Sequence, residues 1–175
     1  MNDQSIPNAA PVVAVSGVKN SGKTTLLTEL IPRLRGHGLR VAVIKHDGHD
    51  FLPDVPGTDS YRLRQAGAEA VAVYSAHRYL LTAERPGTTA EELIRRLDNV
   101  DLILLEGAKH SAHPKIEIVR GAVSGQSACR PETLLALCTD TGLTLPGVPS
   151  LGLEDYEDLT RIILEHLAAV GGSPR

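Results

Sequence analysis

Residues 17–24 read GVKNSGKT, which fills the spacing G-x-x-x-x-G-K-[ST] in full. Gly17 and Gly22 leave out Cβ atoms where a backbone must approach a phosphate chain closely. The successive N–H groups between them, with a helix N-terminus behind, suit an anion. Lys23 can neutralise the β- and γ-phosphates of a nucleotide, and the Thr24 hydroxyl can ligate the magnesium that accompanies them. Val18, Lys19, Asn20 and Ser21 line the same loop, and Thr25 follows in the first helical turn. For Lys19 and Asn20, a solvated loop position is the competing reading.

A second stretch, DLILLEG at 101–107, has the form of a Walker B element. A buried strand would deliver Glu106 to the carboxyl edge of a sheet, where α/β proteins bind ligands. There its carboxylate can hold magnesium opposite Thr24, and Gly107 lets the chain turn sharply beside the terminal phosphate. Lys23 and Glu106 are therefore the residues expected to act on a bound nucleotide. The alternative for Glu106 is a strand-end acid in water. The loop KHDGHD brings His46 and His49 together with Asp47 and Asp50. No Cys or further His stands at zinc spacing, so the loop is expected to face phosphates or substrate, with an ordinary surface loop as the alternative. No N-K-x-D element occurs, but LCTD ends in Asp140 after an apolar run. A carboxylate there can accept both the N1–H and the exocyclic amine of guanine, a pattern adenine lacks. Capping a turn is the other role open to Asp140.

Elements must carry these residues to one place. Alternation and apolar runs predict strands over 12–16, 39–44, 69–74, 102–105 and 134–138, an edge strand over 78–82, and a more exposed strand over 115–120. Helical spacing predicts helices over 26–34, 58–66, 89–97 and 159–167. Segment 121–132 reads as surface loop. Strands alternating with helices imply an α/β protein with a mostly parallel, doubly wound sheet flanked by helices. At 175 residues the chain suits one domain, expected over 12–169 between a disordered tail at 1–11 and a flexible one at 170–175.

Composition narrows the function. A net charge of −3 gives no broadly basic surface for nucleic acid. The apolar runs are too short to span a bilayer, and the polar start lacks a signal-peptide core. Two cysteines, Cys129 and Cys138, in no metal spacing suit reduced thiols packed in a core.

The order SGVKNSGKTTLL, IKHDGHDF, PGTDSYRLRQAGA, DLILLEGAKH, KIEIVR and LCTD resembles the MobB family of molybdopterin-guanine dinucleotide biosynthesis proteins, from about Val12 to Asp140. The phosphate loop alone is generic; its combination with IKHxxHD, PGxDSxxLRxAGA and EGxKH is far more specific. The resemblance implies a dimeric, cytoplasmic P-loop protein that binds GTP with Mg2+ and hydrolyses it slowly. Such a protein assists the MobA-type guanylyltransferase that joins GMP to molybdenum-bound molybdopterin. By residue, Gly17, Gly22, Lys23 and Thr24 match the phosphate loop, and Glu106 and Gly107 the Walker B element. His46, His49 and Asp50 match the histidine loop, and Gly57, Asp59 and Ser60 the GxDS turn. Ala108, where an aromatic is expected, and Asp47-Gly48 depart from the pattern. The rival is a P-loop small-molecule kinase or a dethiobiotin-synthetase-like ligase, which shares the loop and the EG strand end. A kinase normally adds an arginine-bearing helical lid, and no segment here is long enough for a large one.

Overall fold

The computed structural model describes residues 10–48 and 51–171. The tails expected at 1–11 and 170–175 lie mostly outside these residues, as do His49 and Asp50. The chain divides into two compact units, one made of the part up to His46 together with everything from Ala90 on, the other of 47–89.

The larger unit is built on six strands, β1 (Val12–Gly17), β2 (Val41–Lys45), β5 (Leu102–Glu106), β6 (Lys115–Val119), β7 (Leu134–Thr139) and β8 (Ser150–Leu151). Their order is β2-β5-β1-β6-β7-β8 and every pairing is parallel. Side chains alternate across each strand, so the sheet buries two faces. Val13 and Val15 of β1, Leu102 and Leu104 of β5, and Ile116 and Ile118 of β6 face α1 (Lys23–Gly36) and α4 (Tyr156–Ala169). Leu26, Leu30 and Leu34 of α1, with Leu159, Ile163 and Leu167 of α4, close that side. Their spacing of four or so residues keeps them on one stripe. Ala14, Ile103, Leu105 and Ile44 point the other way, onto Ile94 of the short α3 (Ala90–Ile94). Burying each such Leu or Ile contributes about 1.5–3 kcal/mol. The fold class is the expected one.

The connection leaving β1 runs to β2 on one side of it, whereas β6 and β7 succeed each other on the other side. The carboxyl ends of β1 and β6 thus flank the switch point where parallel sheets bind ligands.

Three details differ from expectation. β6 is not an exposed strand: all five of its residues are buried. Lys115 and Glu117, which suggested a wet face, have partners supplied by loops. Lys115 Nζ donates to Ser111 O at 2.7 Å. Glu117 accepts from Ala128 N at 2.6 Å, Cys129 N at 3.2 Å and the Ser127 hydroxyl. Segment 121–132 is therefore more than surface loop, because part of it satisfies a buried carboxylate. The two-residue β8 is too short to signal itself in sequence.

In the smaller unit, β3 (Ala70–Tyr74) and β4 (Tyr79–Ala83) pair antiparallel with each other instead of joining the parallel sheet. The helix before them, α2 (Asp59–Gln65), is capped by Thr58, whose hydroxyl accepts from Tyr61 N. Arg64 reaches Glu84 at 3.3 Å. Val73, Tyr74, Tyr79, Leu80 and Leu81 of the hairpin are exposed.

Candidate nucleotide site

β1 runs directly into the glycine loop, and α1 starts at Lys23. The loop needs its glycines for two reasons. A Cβ on Gly17 would sit 2.6 Å from Ile118 O and 2.7 Å from Ser21 Oγ, and its φ of 144° disfavours a side chain as well. Gly22, at φ 103°, is the helix N-cap, and a Cβ there would approach the Arg120 guanidinium at 3.3 Å. Asn20 also lies in the left-handed region, at φ 62°. Left-handed residues interleaved with ordinary ones turn consecutive N–H groups toward one concavity. α1 begins without a side-chain cap, so the chain spends no side chain on its first-turn N–H groups.

Lys23 Nζ arches back over this loop, donating to Val18 O at 2.7 Å and Gly17 O at 3.3 Å. Burial holds its ammonium below the ordinary lysine range; Glu106 opposes that shift, while Lys45 and Lys109 add to it. Thr24 Oγ1 donates to Glu106 Oε1 at 2.9 Å. The same oxygen lies 3.7 Å from Lys45 Nζ. Parallel register explains the meeting, since Glu106 stands level with Val15 of β1 and Lys45 of β2.

After Glu106 the chain turns at Gly107, φ 101°, and Ala108, φ 53°. Gly107 N donates to Val15 O at 2.9 Å, and Gly107 O accepts from the Ser16 hydroxyl. The turn is thereby fastened to β1. Lys19, Asn20, Thr25 and His46 are exposed, and His46 N donates to Glu106 O at 3.4 Å.

Asp140 follows β7. Its Oδ1 accepts from Gly121 N at 2.7 Å, which ties the loop after β6 to the end of β7. The turn-holding role left open for it is thus present. Asp59 belongs to α2 in the other unit, and His49 and Asp50 lie outside the described residues. Both cysteines are free and buried, and burial first of all pushes each thiol up to about 12.

Motif spacing brings Gly17, Lys23, Thr24, Glu106 and Gly107 together as expected. It missed Lys45, the Lys of the IKHxxHD motif, whose meaning lies in its place at a strand's carboxyl end beside the Walker B strand. It also missed Arg120, which has no spacing signal at all and whose buried Nε has no hydrogen-bond partner.

Strand order, loop and facing carboxylate together place the chain in the P-loop class of parallel α/β proteins. A family profile described as MobB, molybdopterin guanine dinucleotide synthesis protein B, matches residues 12–140. The chain belongs to the MobB family. A molybdopterin-guanine dinucleotide biosynthesis adapter protein from Escherichia coli is 38% identical, over 93% of this chain and 96% of that relative. The protein of the same name from Haemophilus influenzae is 35% identical over 79% of each. The crystal structure of Bacillus subtilis MobB superposes with a TM-score of 0.73 at 29% identity, covering 89% of this chain and 96% of that one.

Proposed function

We propose that this protein binds GTP with magnesium and acts as an adaptor to the MobA-type guanylyltransferase that converts molybdenum-bound molybdopterin to its guanine dinucleotide form. The observation that carries the reading is the 2.9 Å bond between Thr24 and Glu106 beside Lys23. An alcohol and a carboxylate are hard oxygen donors, the set that suits magnesium. Lys23 supplies charge to the phosphates, and the glycine loop supplies N–H donors. Glu106, committed to Thr24 and the metal, is not free to activate water, so hydrolysis is slow and the protein works by holding nucleotide. Gly17–Thr25 with Gly107 bind the phosphates, Asp140 reads guanine, and His46, His49, Asp50 and Asp59 are the further residues assigned to cofactor binding by the family motifs.

The adapter names of the relatives support the partner. The protein works as a homodimer. An isolated two-stranded hairpin is marginal in water, and the apolar side chains on β3 and β4 gain from a second copy. Among the described residues no helix is long and apolar enough to cross a membrane. The cytoplasmic location is the one that the family resemblance implies, and the net charge of −3 does not favour a nucleic-acid partner.

Calorimetry with GTP, ATP and magnesium tests the nucleotide part. Lys23→Ala is expected to cost about 1.5–3 kcal/mol of GTP binding, roughly ten- to a hundred-fold. Unchanged GTP affinity would sink it. Co-elution with the guanylyltransferase tests the adaptor part, and rapid phosphoryl transfer to an added metabolite would instead favour the kinase or ligase.

A further inference from the structure

Lys45 ends β2 and stands level with Glu106 in the parallel ladder, its ammonium 3.7 Å from Glu106 Oε1. Lys109 follows the Gly107–Ala108 turn, which Val15 and Ser16 fasten to β1. Lys23 feels the charge of Lys45, Lys109 and Glu106, so three cations and one carboxylate share this part of a chain whose net charge is −3. Burial first of all holds the Lys23 ammonium below the ordinary lysine range; Glu106 opposes that shift, and Lys45 and Lys109 add smaller contributions to it. Structure alone does not account for Lys45. Its side chain is 55% exposed and its pair with Glu106 is long, a combination that contributes little to stability.

The order of the sheet says which part of a nucleotide such a cluster meets. The glycine loop follows β1, and the Thr24–Glu106 pair lies on its β5 side. β2 is the next strand outward in that direction. In P-loop proteins the metal bridges the β- and γ-phosphates, so groups beyond the metal pair lie toward the terminal phosphate and away from the base. A divalent cation at Glu106 also repels the Lys45 ammonium from its carboxylate. A terminal phosphate is the anion that then receives it.

We propose that Lys45, seconded by Lys109, is a terminal-phosphate clamp that makes the site prefer a nucleoside triphosphate over the diphosphate. The proposal rests on the nucleotide reading above. For an adaptor with slow hydrolysis, such a clamp would let the protein distinguish its loaded from its spent state.

The test is calorimetry of the full chain with GTP and with GDP, each with magnesium, on wild type, Lys45→Met and Lys45→Arg. Methionine keeps the apolar stem and drops the charge. Lys45→Met should weaken GTP at least tenfold and GDP less than twofold, with an unchanged melting temperature, while Lys45→Arg should keep most of the preference. Lys109→Met should narrow the GTP-to-GDP ratio in the same direction. Equal losses for GTP and GDP, or no loss for either, overturn the clamp and leave the nucleotide site standing. Wild-type protein that binds neither nucleotide overturns both.

Discussion

Thr24 Oγ1 and Glu106 Oε1 meet at 2.9 Å although 82 residues separate them in sequence. The bond joins the first turn of α1 to the carboxyl end of β5, across the strand that carries the glycine loop. Both partners are anchored from below. Leu26 and Leu27 of α1 and Leu104 and Leu105 of β5 are all buried, so neither end can drift without opening the core. The site is therefore set by the sheet, and the loop is fitted onto it.

Glu106→Gln separates charge from shape at this position. Glutamine keeps a carbonyl oxygen for the Thr24 hydroxyl, so folding stability should change by less than about 1 kcal/mol. If Glu106 ligates magnesium as proposed, the ion loses an anionic ligand, and its apparent affinity in the presence of GTP should fall roughly ten- to a hundred-fold. A magnesium titration of GTP binding reads this directly. An identical titration in the variant would place Glu106 outside the metal shell.

The two strained glycines of the site should respond differently to alanine. At Gly17 the added methyl meets a backbone oxygen of β6 at 2.6 Å, and neither the loop nor the buried strand can yield freely. Gly17→Ala should cost about 1–3 kcal/mol from clash and strain together, and abolish nucleotide binding. At Gly107 no atom lies within 4 Å of the added methyl, so only the φ of 101° opposes it. Gly107→Ala should cost about 1 kcal/mol. Urea unfolding of both variants checks the ranking; equal losses would mean that backbone strain alone, not the close approach to Ile118, is at stake.

What the sequence made legible was whatever is encoded locally. The loop at 17–24, its flanking strand and helix, and the acid ending β5 all lie within short windows, and all are found where expected. β6 differs from the pattern because Lys115 and Glu117 look like a wet face by alternation. Their burial depends on the Ser111 carbonyl and the N–H groups of Ala128 and Cys129, which periodicity does not reveal. The hairpin β3–β4 escaped for a related reason: alternation identifies a strand but not its neighbour. Lys45 is not legible from spacing along the chain, because its meaning comes from register with Glu106 on the neighbouring strand.

Cys138 gives the fold a pH dependence on the alkaline side. It is 1% exposed in β7, its thiol donates to Gly152 O at 3.2 Å, and burial, with Asp155 next, pushes it from 9.0 up to about 12. The folded thiol therefore keeps its proton above pH 9 while the unfolded one gives it up. This contribution is fully present below pH 9 and is lost as pH rises toward 12, by about 1.4 kcal/mol per pH unit. Cys138→Ala should be less stable than wild type at pH 7 through lost packing, but the gap should shrink as pH climbs past 9. Urea midpoints of the two proteins from pH 7 to 10.5 are the measurement, and parallel curves would contradict it.

Asp140 is the sharpest test of base choice because its turn-holding contact is present and can be separated from the guanine-reading role proposed above. Its Oδ1 holds Gly121 N at 2.7 Å, fixing the loop after β6 against the end of β7. Asn retains an Oδ1 that can accept the same N–H, so Asp140→Asn should leave this turn in place and move stability by no more than about 0.5 kcal/mol. What it cannot do is accept two donors from guanine, since one carboxylate oxygen becomes an NH2 group. A donor facing guanine's N1–H or amine, once the base covers it, is left unsatisfied, the kind of mismatch by which polar sites discriminate. GTP affinity should fall, ATP affinity should fall less or rise, and the GTP-to-ATP ratio should drop roughly tenfold or more, the equivalent of about 1.4 kcal/mol. Asp140→Ala serves as the contrast, because it loses the Gly121 bond too and should lower stability as well as the ratio. If the ratio stays constant in Asp140→Asn while the turn survives, Asp140 only holds Gly121, and guanine is read by other groups, with the backbone of segment 141–149 the next to test.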